Sequence, residues 1–165
     1  MSGKREWMTK DVIVAEIAAW ALCVAAIVAF GVWFANAPES VAVHYGLDGT
    51  PDRWGSPKEL LLLPFFIVLS NAMMSLVLHA VDPRYWNRPG TLEEGEEPAW
   101  YRASARVIVW IELEIAAYGL ALALGTFSGS LDSALPLTVV LIVVMAISIA
   151  VPCARFYVGR SKKKA

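Results

Sequence analysis

The sequence predicts an all-α integral membrane protein: four transmembrane helices in an antiparallel bundle, both termini cytoplasmic, with an ordered extracytoplasmic loop between helices 1 and 2. Three observations carry this. The 165 residues are 58% hydrophobic and 18% charged, against the roughly 45–50% apolar content of soluble domains. The apolar residues gather in four long runs, each near the ~20 residues that cross a ~30 Å hydrocarbon core. Lysine and arginine are also placed one-sidedly. Lys4, Arg5, Lys10, Arg84, Arg88, Arg102, Arg106, Arg155, Arg160 and Lys162 to Lys164 share one side, and only Arg53 and Lys58 fall on the other. The positive-inside rule makes the first side cytoplasmic.

In chain order, a short charged lead precedes span one, at about residues 12–34. The following Ala35-Asn36-Ala37 resembles a signal-peptidase site. The apolar run exceeds the 7–15 residues of a signal peptide's core, so span one is read as a retained anchor. An outer loop follows at 35–59, then span two at about 60–81. A cytoplasmic loop at 82–102 leads to span three at about 103–127, and a tight turn joins it to span four at about 134–157. The whole is read as one four-helix membrane domain, 1–165. Trp7, Trp33, Trp54, Tyr85, Trp86, Trp100, Tyr101 and Tyr157 lie near span ends, where interfacial aromatics belong. Cys23 and Cys153 fall inside apolar runs at different expected depths. Their Cα atoms should be further apart than the ~7 Å a disulfide tolerates, so both are expected free.

The outer loop concentrates the polar and turn-forming residues. Val41 to Tyr45 is β-branched and aromatic, which suits a short extended segment. Asp48-Gly49 is a turn dipeptide, since glycine accepts a positive φ, and Gly55 is expected to need similar freedom. Ser56-Pro57-Lys58-Glu59 reads as a helix start, with Ser56 as N-cap, proline at N1 and Glu59 closing a capping box. His44, Asp48 and Asp52 could converge on a divalent ion. With one histidine and no supporting motif, the preferred reading has Asp48 and Asp52 bonding turn amides and His44 tying the loop together by hydrogen bonds, and no metal is assigned. His44, Tyr45, Asp48, Gly49, Asp52, Trp54 and Gly55 are the candidate ligand-binding residues of this loop.

The run from Pro38 to Ser56, P-x-x-x-x-x-H-Y-x-x-x-G-x-P-D-x-W-G-S, resembles the membrane domain of unknown function 1648 family, the domain type found at the N-terminus of SdpI-type immunity proteins. Asp82 to Pro89 is similar to the N-P-x-x-x-N-x-P segment of such proteins, with Asp82 where asparagine is usual. The resemblance covers about the first half of the chain. It implies a non-enzymatic protein of the immunity or signalling kind in a bacterial cytoplasmic membrane.

Inside the spans the informative residues are Glu16, Asn71, His79, Glu112 and Glu114. An acid at bilayer depth costs about 2.5–3.5 kcal/mol on insertion scales, so such groups face protein or water. Glu112 shares a helical face with Ala116, Gly119 and Ala123, small residues that allow close helix approach. Asn71, Ser75 and His79 form a polar stripe in span two. Counting ~1.5 Å per residue puts Asn71 level with Glu112 as a partner, while Glu16 and His79 could pair nearer the cytoplasm. Glu114 lies about 200° around the helix from Glu112. It therefore needs protein on a second side, a hydrated pocket or another protomer of a homo-oligomer. The Glu93-Glu94-Gly95-Glu96-Glu97 segment reads as a solvated acidic loop.

No phosphate-binding loop, nucleophile elbow, zincin helix or cofactor fingerprint is present, so no cofactor is assigned and an enzyme is the weaker reading. The near-neutral charge balance, formally −1, argues against nucleic acid. The partners expected are the lipid bilayer and, through the outer loop, a secreted peptide or envelope component. The runner-up function is a small proton-coupled transporter using the intramembrane acids. A membrane enzyme with a metal at the outer loop comes third.

Overall fold

The computed structural model describes residues 6–46, 50–86, 92–128 and 134–164. Asp48 and Gly49 of the outer loop and most of the turn before the fourth helix lie outside them. Four helices dominate: α1 (Lys10–Ala35), α2 (Leu62–Ala80), α3 (Glu97–Ser128) and α4 (Ala134–Lys164). All four are long and apolar enough to cross a membrane. Between α1 and α2 stands a small antiparallel hairpin, β1 (Val41–Tyr45) and β2 (Pro51–Gly55). The first strand falls on the expected extended segment Val41 to Tyr45, and the second strand was not expected. Pro51 opens β2, and a strand's first residue can dispense with a backbone N–H.

Ser56 ends the hairpin and starts the next helix. Its hydroxyl accepts from the Lys58 backbone N–H at 3.3 Å, and the Glu59 carboxylate accepts from the Ser56 N–H at 3.2 Å. The capping box opens on a short 3₁₀ turn, Pro57–Leu61, before α2 proper begins. Gly55 is required here for space and not for φ. A Cβ on it would lie 2.2 Å from Glu59 Oε1, so any side chain would expel the carboxylate that completes the cap.

Helices α1, α2 and α3 form the packed core. One buried cluster joins Val12, Leu78, Trp86, Ala105 and Val109, and another joins Ala19, Cys23, Ile67 and Ala116. Gly119 lets α2 and α3 close on one another, since a Cβ there would sit 2.4 Å from Ile67 Cδ1. Cys23 and Cys153 are free. Helix α4 rests on α3 and has no buried side chain among its described residues.

The end of the bundle opposite the hairpin carries the arginines. Arg106 binds Asp11 at 2.7 Å, joining α3 to α1, and Arg160 binds Glu96 at 3.0 Å and Glu93 at 3.4 Å. These two glutamates are therefore ion-pair partners of α4, which corrects their reading as a merely solvated loop. Helix α3 also starts at Glu97, six residues before the expected span, so Trp100 and Tyr101 are helical. Trp86 packs edge-on against Trp7 and Tyr101 and is 7% exposed. It belongs to the protein interior and not to an interfacial belt. Tyr85, at 82% exposure, keeps the interfacial character. Asp82 caps the turn that follows α2, accepting from the Arg84 N–H at 2.9 Å and pairing with the guanidinium at 2.7 Å. Asparagine could make the same cap. The aspartate adds the ion pair, and its Arg84 hydrogen bonds hold the carboxyl down at about 2.

Candidate functional site

Two groups of polar residues stand apart from ordinary packing. The first is the hairpin. Backbone pairing sets Val41 opposite Gly55 and Tyr45 opposite Pro51, with the Gly46 N–H closing on the Thr50 carbonyl at 2.8 Å. Irregular register around His44 leaves it opposite Arg53, a bulge that re-aims side chains. His44 Nδ1 lies 2.5 Å from Asp52 Oδ1, and Arg53 reaches Glu59 at 2.8 Å. His44 and Asp52 are thus brought together and tie one strand to the other. Trp54 stands 63% exposed. Among the described residues no three His, Cys, Asp or Glu side chains are grouped to hold a metal, and Asp48, the third ligand considered, is not described.

The second group lies between α1, α2 and α3, and its centre is the Ser75 hydroxyl. Trp20 Nε1 donates to Ser75 Oγ at 2.9 Å. Ser75 Oγ is 2.8 Å from Glu112 Oε1 and 3.1 Å from Glu16 Oε1. His79 Nε2 is 2.7 Å from the same Glu16 oxygen. The stripe Asn71-Ser75-His79 on α2 therefore does face the two acids. The expected Asn71–Glu112 pair does not form, because Asn71 donates to the Ile67 carbonyl of its own helix at 2.9 Å and Ser75 takes Glu112 instead. Asn71 and Glu112 are both 0% exposed. Asn71 Oδ1 and Glu112 Oε2 have no partner among the described residues, an uncommon state for buried polar atoms.

These contacts can be counted in hydrogens. A hydroxyl supplies one hydrogen and two lone pairs. Ser75 accepts from Trp20, so it can donate to one carboxylate and must accept from the other. These four contacts form together as full two-centre hydrogen bonds when Glu16 or Glu112 carries a proton; with both ionised, the one hydroxyl hydrogen is divided between two carboxylates.

Glu114 faces the opposite side of α3, where Ser148 of α4 donates to its Oε1. Tyr118 and Thr138 pair at 2.6 Å between the same two helices. Helix α3 is therefore sheltered on two sides by its own chain, while Glu114 Oε2 is buried with no hydrogen-bond partner among the described residues. Trp20 and Ser148 escaped the sequence reading although each left a trace. Trp20 follows Glu16 by one helical turn, and Ser148 interrupts a long apolar run.

Residues 21–68 match the family model described as Domain of unknown function (DUF1648). The matched stretch runs from α1 through the hairpin into α2, so it contains His44, Asp52 and Trp54 but none of the Ser75 cluster. The chain is also similar to an "Uncharacterized protein" of Archaeoglobus fulgidus, 27% identical over 127 residues that cover 70% of this chain and 69% of that protein. No solved structure matches the chain.

Proposed function

We propose that this multi-pass membrane protein is a proton-responsive device of the signalling kind, whose working part is the Glu16–Ser75–His79–Glu112 cluster. The observation behind it is the hydrogen count at Ser75: three polar neighbours and a single hydroxyl hydrogen. Glu16 and Glu112 then share one proton across the serine. His79, exposed and close to the end of α2, is the group through which that proton exchanges. By the positive-inside rule the exchange is with the cytoplasm.

The cluster has one mouth. Beyond Glu16 the rest of α1 holds no acid, lysine, arginine or histidine, and the buried positions above the cluster are Cys23, Ala26 and Phe30. On the hairpin side of Ser75 the next buried polar side chain is Asn71, which donates to the Ile67 carbonyl of its own helix, and the facing buried positions of α1 are otherwise small or apolar. That favours uptake and release over conduction, and signalling over transport. Losing the proton sets two carboxylates against one hydroxyl hydrogen, which loosens the contact of α2 with α1 and α3.

The test is infrared spectroscopy of the purified full chain in lipid nanodiscs, titrated across neutral pH in light and heavy water. A protonated carboxyl band should be present, exchange with solvent and vanish in Glu112→Gln with Glu16→Gln. Vesicles holding the protein should show no acid flux above empty ones. Absence of the band at every pH overturns the reading, and flux abolished by Glu112→Gln replaces it with proton-coupled transport.

A second reading concerns the hairpin and rests on exposed Trp54 beside the His44–Asp52 tie. There the chain is an immunity-type protein whose hairpin faces outward and binds a secreted peptide or envelope component. A cysteine replacing Ser40 should label from outside the cell, and Trp54→Ala should remove protection against an added peptide while leaving expression unchanged. Labelling only after the membrane is opened rules this reading out.

A further inference from the structure

A groove of about 540 Å³ runs between α3 and α4 from the arginine end toward the bilayer centre. Its two ends differ chemically. Arg102, Arg106, Arg155 and Arg160 line the mouth, and Trp110, Ile147 and Val151 line the deeper part. From Arg102 to Trp110 is eight residues of helix, ~12 Å at 1.5 Å each, comparable with the ~15 Å half-thickness of a hydrocarbon core. The groove therefore spans most of one leaflet, with its charge at headgroup level.

Charge separates this concavity from the rest of the lipid-facing surface. Arg106 is occupied by Asp11 and Arg160 by Glu93 and Glu96. Arg102 meets Glu6 only at 3.9 Å. Arg155 is exposed and has no ion-pair or hydrogen-bond partner among the described residues. Among the described residues lining the groove the acid is Glu96, which is engaged by Arg160. The mouth thus keeps an unmatched guanidinium beside a loosely matched one, directly above an apolar track.

We propose that this groove is a binding site for an anionic phospholipid, its phosphate held by Arg155 and Arg102 and one acyl chain lying along Trp110, Ile147 and Val151. A guanidinium donates two parallel hydrogen bonds to phosphate oxygens, which suits it to this headgroup. Basic pockets between membrane helices on the cytoplasmic side take such headgroups for the same reason. A zwitterionic lipid fits the apolar track equally well but brings its own cation to an already cationic mouth. The headgroup's net charge, and not the chain, therefore decides occupancy.

The full chain, purified in mild detergent and stripped of lipid, is offered equal amounts of phosphatidylglycerol and phosphatidylcholine with identical chains, and retained lipid is read by native mass spectrometry. Phosphatidylglycerol should be retained over phosphatidylcholine by roughly five-fold. Arg155→Gln should bring the two to parity. Arg84→Gln, which removes a charge from the same end outside the groove, should leave the preference intact. Val151→Trp should lower retention of both lipids by filling the track, and circular dichroism confirms that each variant is folded. The proposal is overturned by equal retention of both lipids in the unaltered chain, or by equal losses in Arg84→Gln and Arg155→Gln, which would mark surface charge alone. Glycerol phosphate displacing the lipid at equal concentration would mark a free-phosphate site and overturn it too. So would a doubled mass that excludes lipid, because a second copy would then fill the groove.

Discussion

Ser75→Ala is expected to destabilise the protein by about 2–4 kcal/mol, more than its small volume suggests, because one atom serves three helices. Its loss strands the Trp20 indole N–H and leaves Glu112 Oε1 without its donor, while Glu16 keeps His79. Each buried group left unpaired costs about 1–3 kcal/mol, and water recovers part of that wherever it can enter. Thermal unfolding in detergent, followed by circular dichroism, measures the effect. Combining Ser75→Ala with Glu112→Leu should cost less than the two changes summed, since replacing both partners of a hydrogen bond by apolar groups can be close to neutral. An unchanged midpoint for Ser75→Ala alone would show that the hydroxyl is not the hub.

The other large effect is expected at Gly119. Valine there drives its branched carbon into Ile67, where the first added atom already meets Cδ1 at 2.4 Å, Cγ1 at 3.0 Å and Cγ2 at 3.1 Å. Three close atoms of one β-branched side chain leave little room for a rotamer change, so α2 and α3 must separate. Overpacking of this kind costs about 1–3 kcal/mol, and the shift also opens the Ser75–Glu112 contact two turns along. Ile67→Ala should relieve Gly119→Val, making the double variant more stable than additivity allows. Strict additivity of the two changes would argue that Gly119 does not set the helix approach.

The spans were legible because each is a long apolar run, and so was the inward face of α3, where Glu112, Ala116, Gly119 and Ala123 recur at helical spacing. Glu16 and His79 were also recognisable as partners, since the two spans place them at similar depth. What could not be read was which of several polar groups at one depth would meet. Asn71 and Ser75 sit one turn apart on the same stripe. Which of the two meets Glu112 depends on the axial placement of α2 against α3, where Ile67 lies close on Gly119. The capping box at Ser56 was visible as a four-residue pattern with a local mechanism. Strand β2 was not, because Pro-Asp-Arg-Trp-Gly lacks β-branched residues and takes its shape from pairing with β1.

Helix α4 carries a different lesson. It rests mainly on α3, with Arg160 reaching Glu93 and Glu96 just before that helix, and buries none of its described side chains. The positions facing away from α3, among them Val139, Val140, Ile142 and Val143, answer to the bilayer alone, which asks for apolarity and nothing of shape. Over evolutionary time such positions can exchange one aliphatic residue for another almost freely. Ser148 and Thr138 are held by Glu114 and Tyr118 and cannot. Sequence drift in this protein should therefore be fastest on the outer half of its last helix and slowest along the three-helix seam at Ser75.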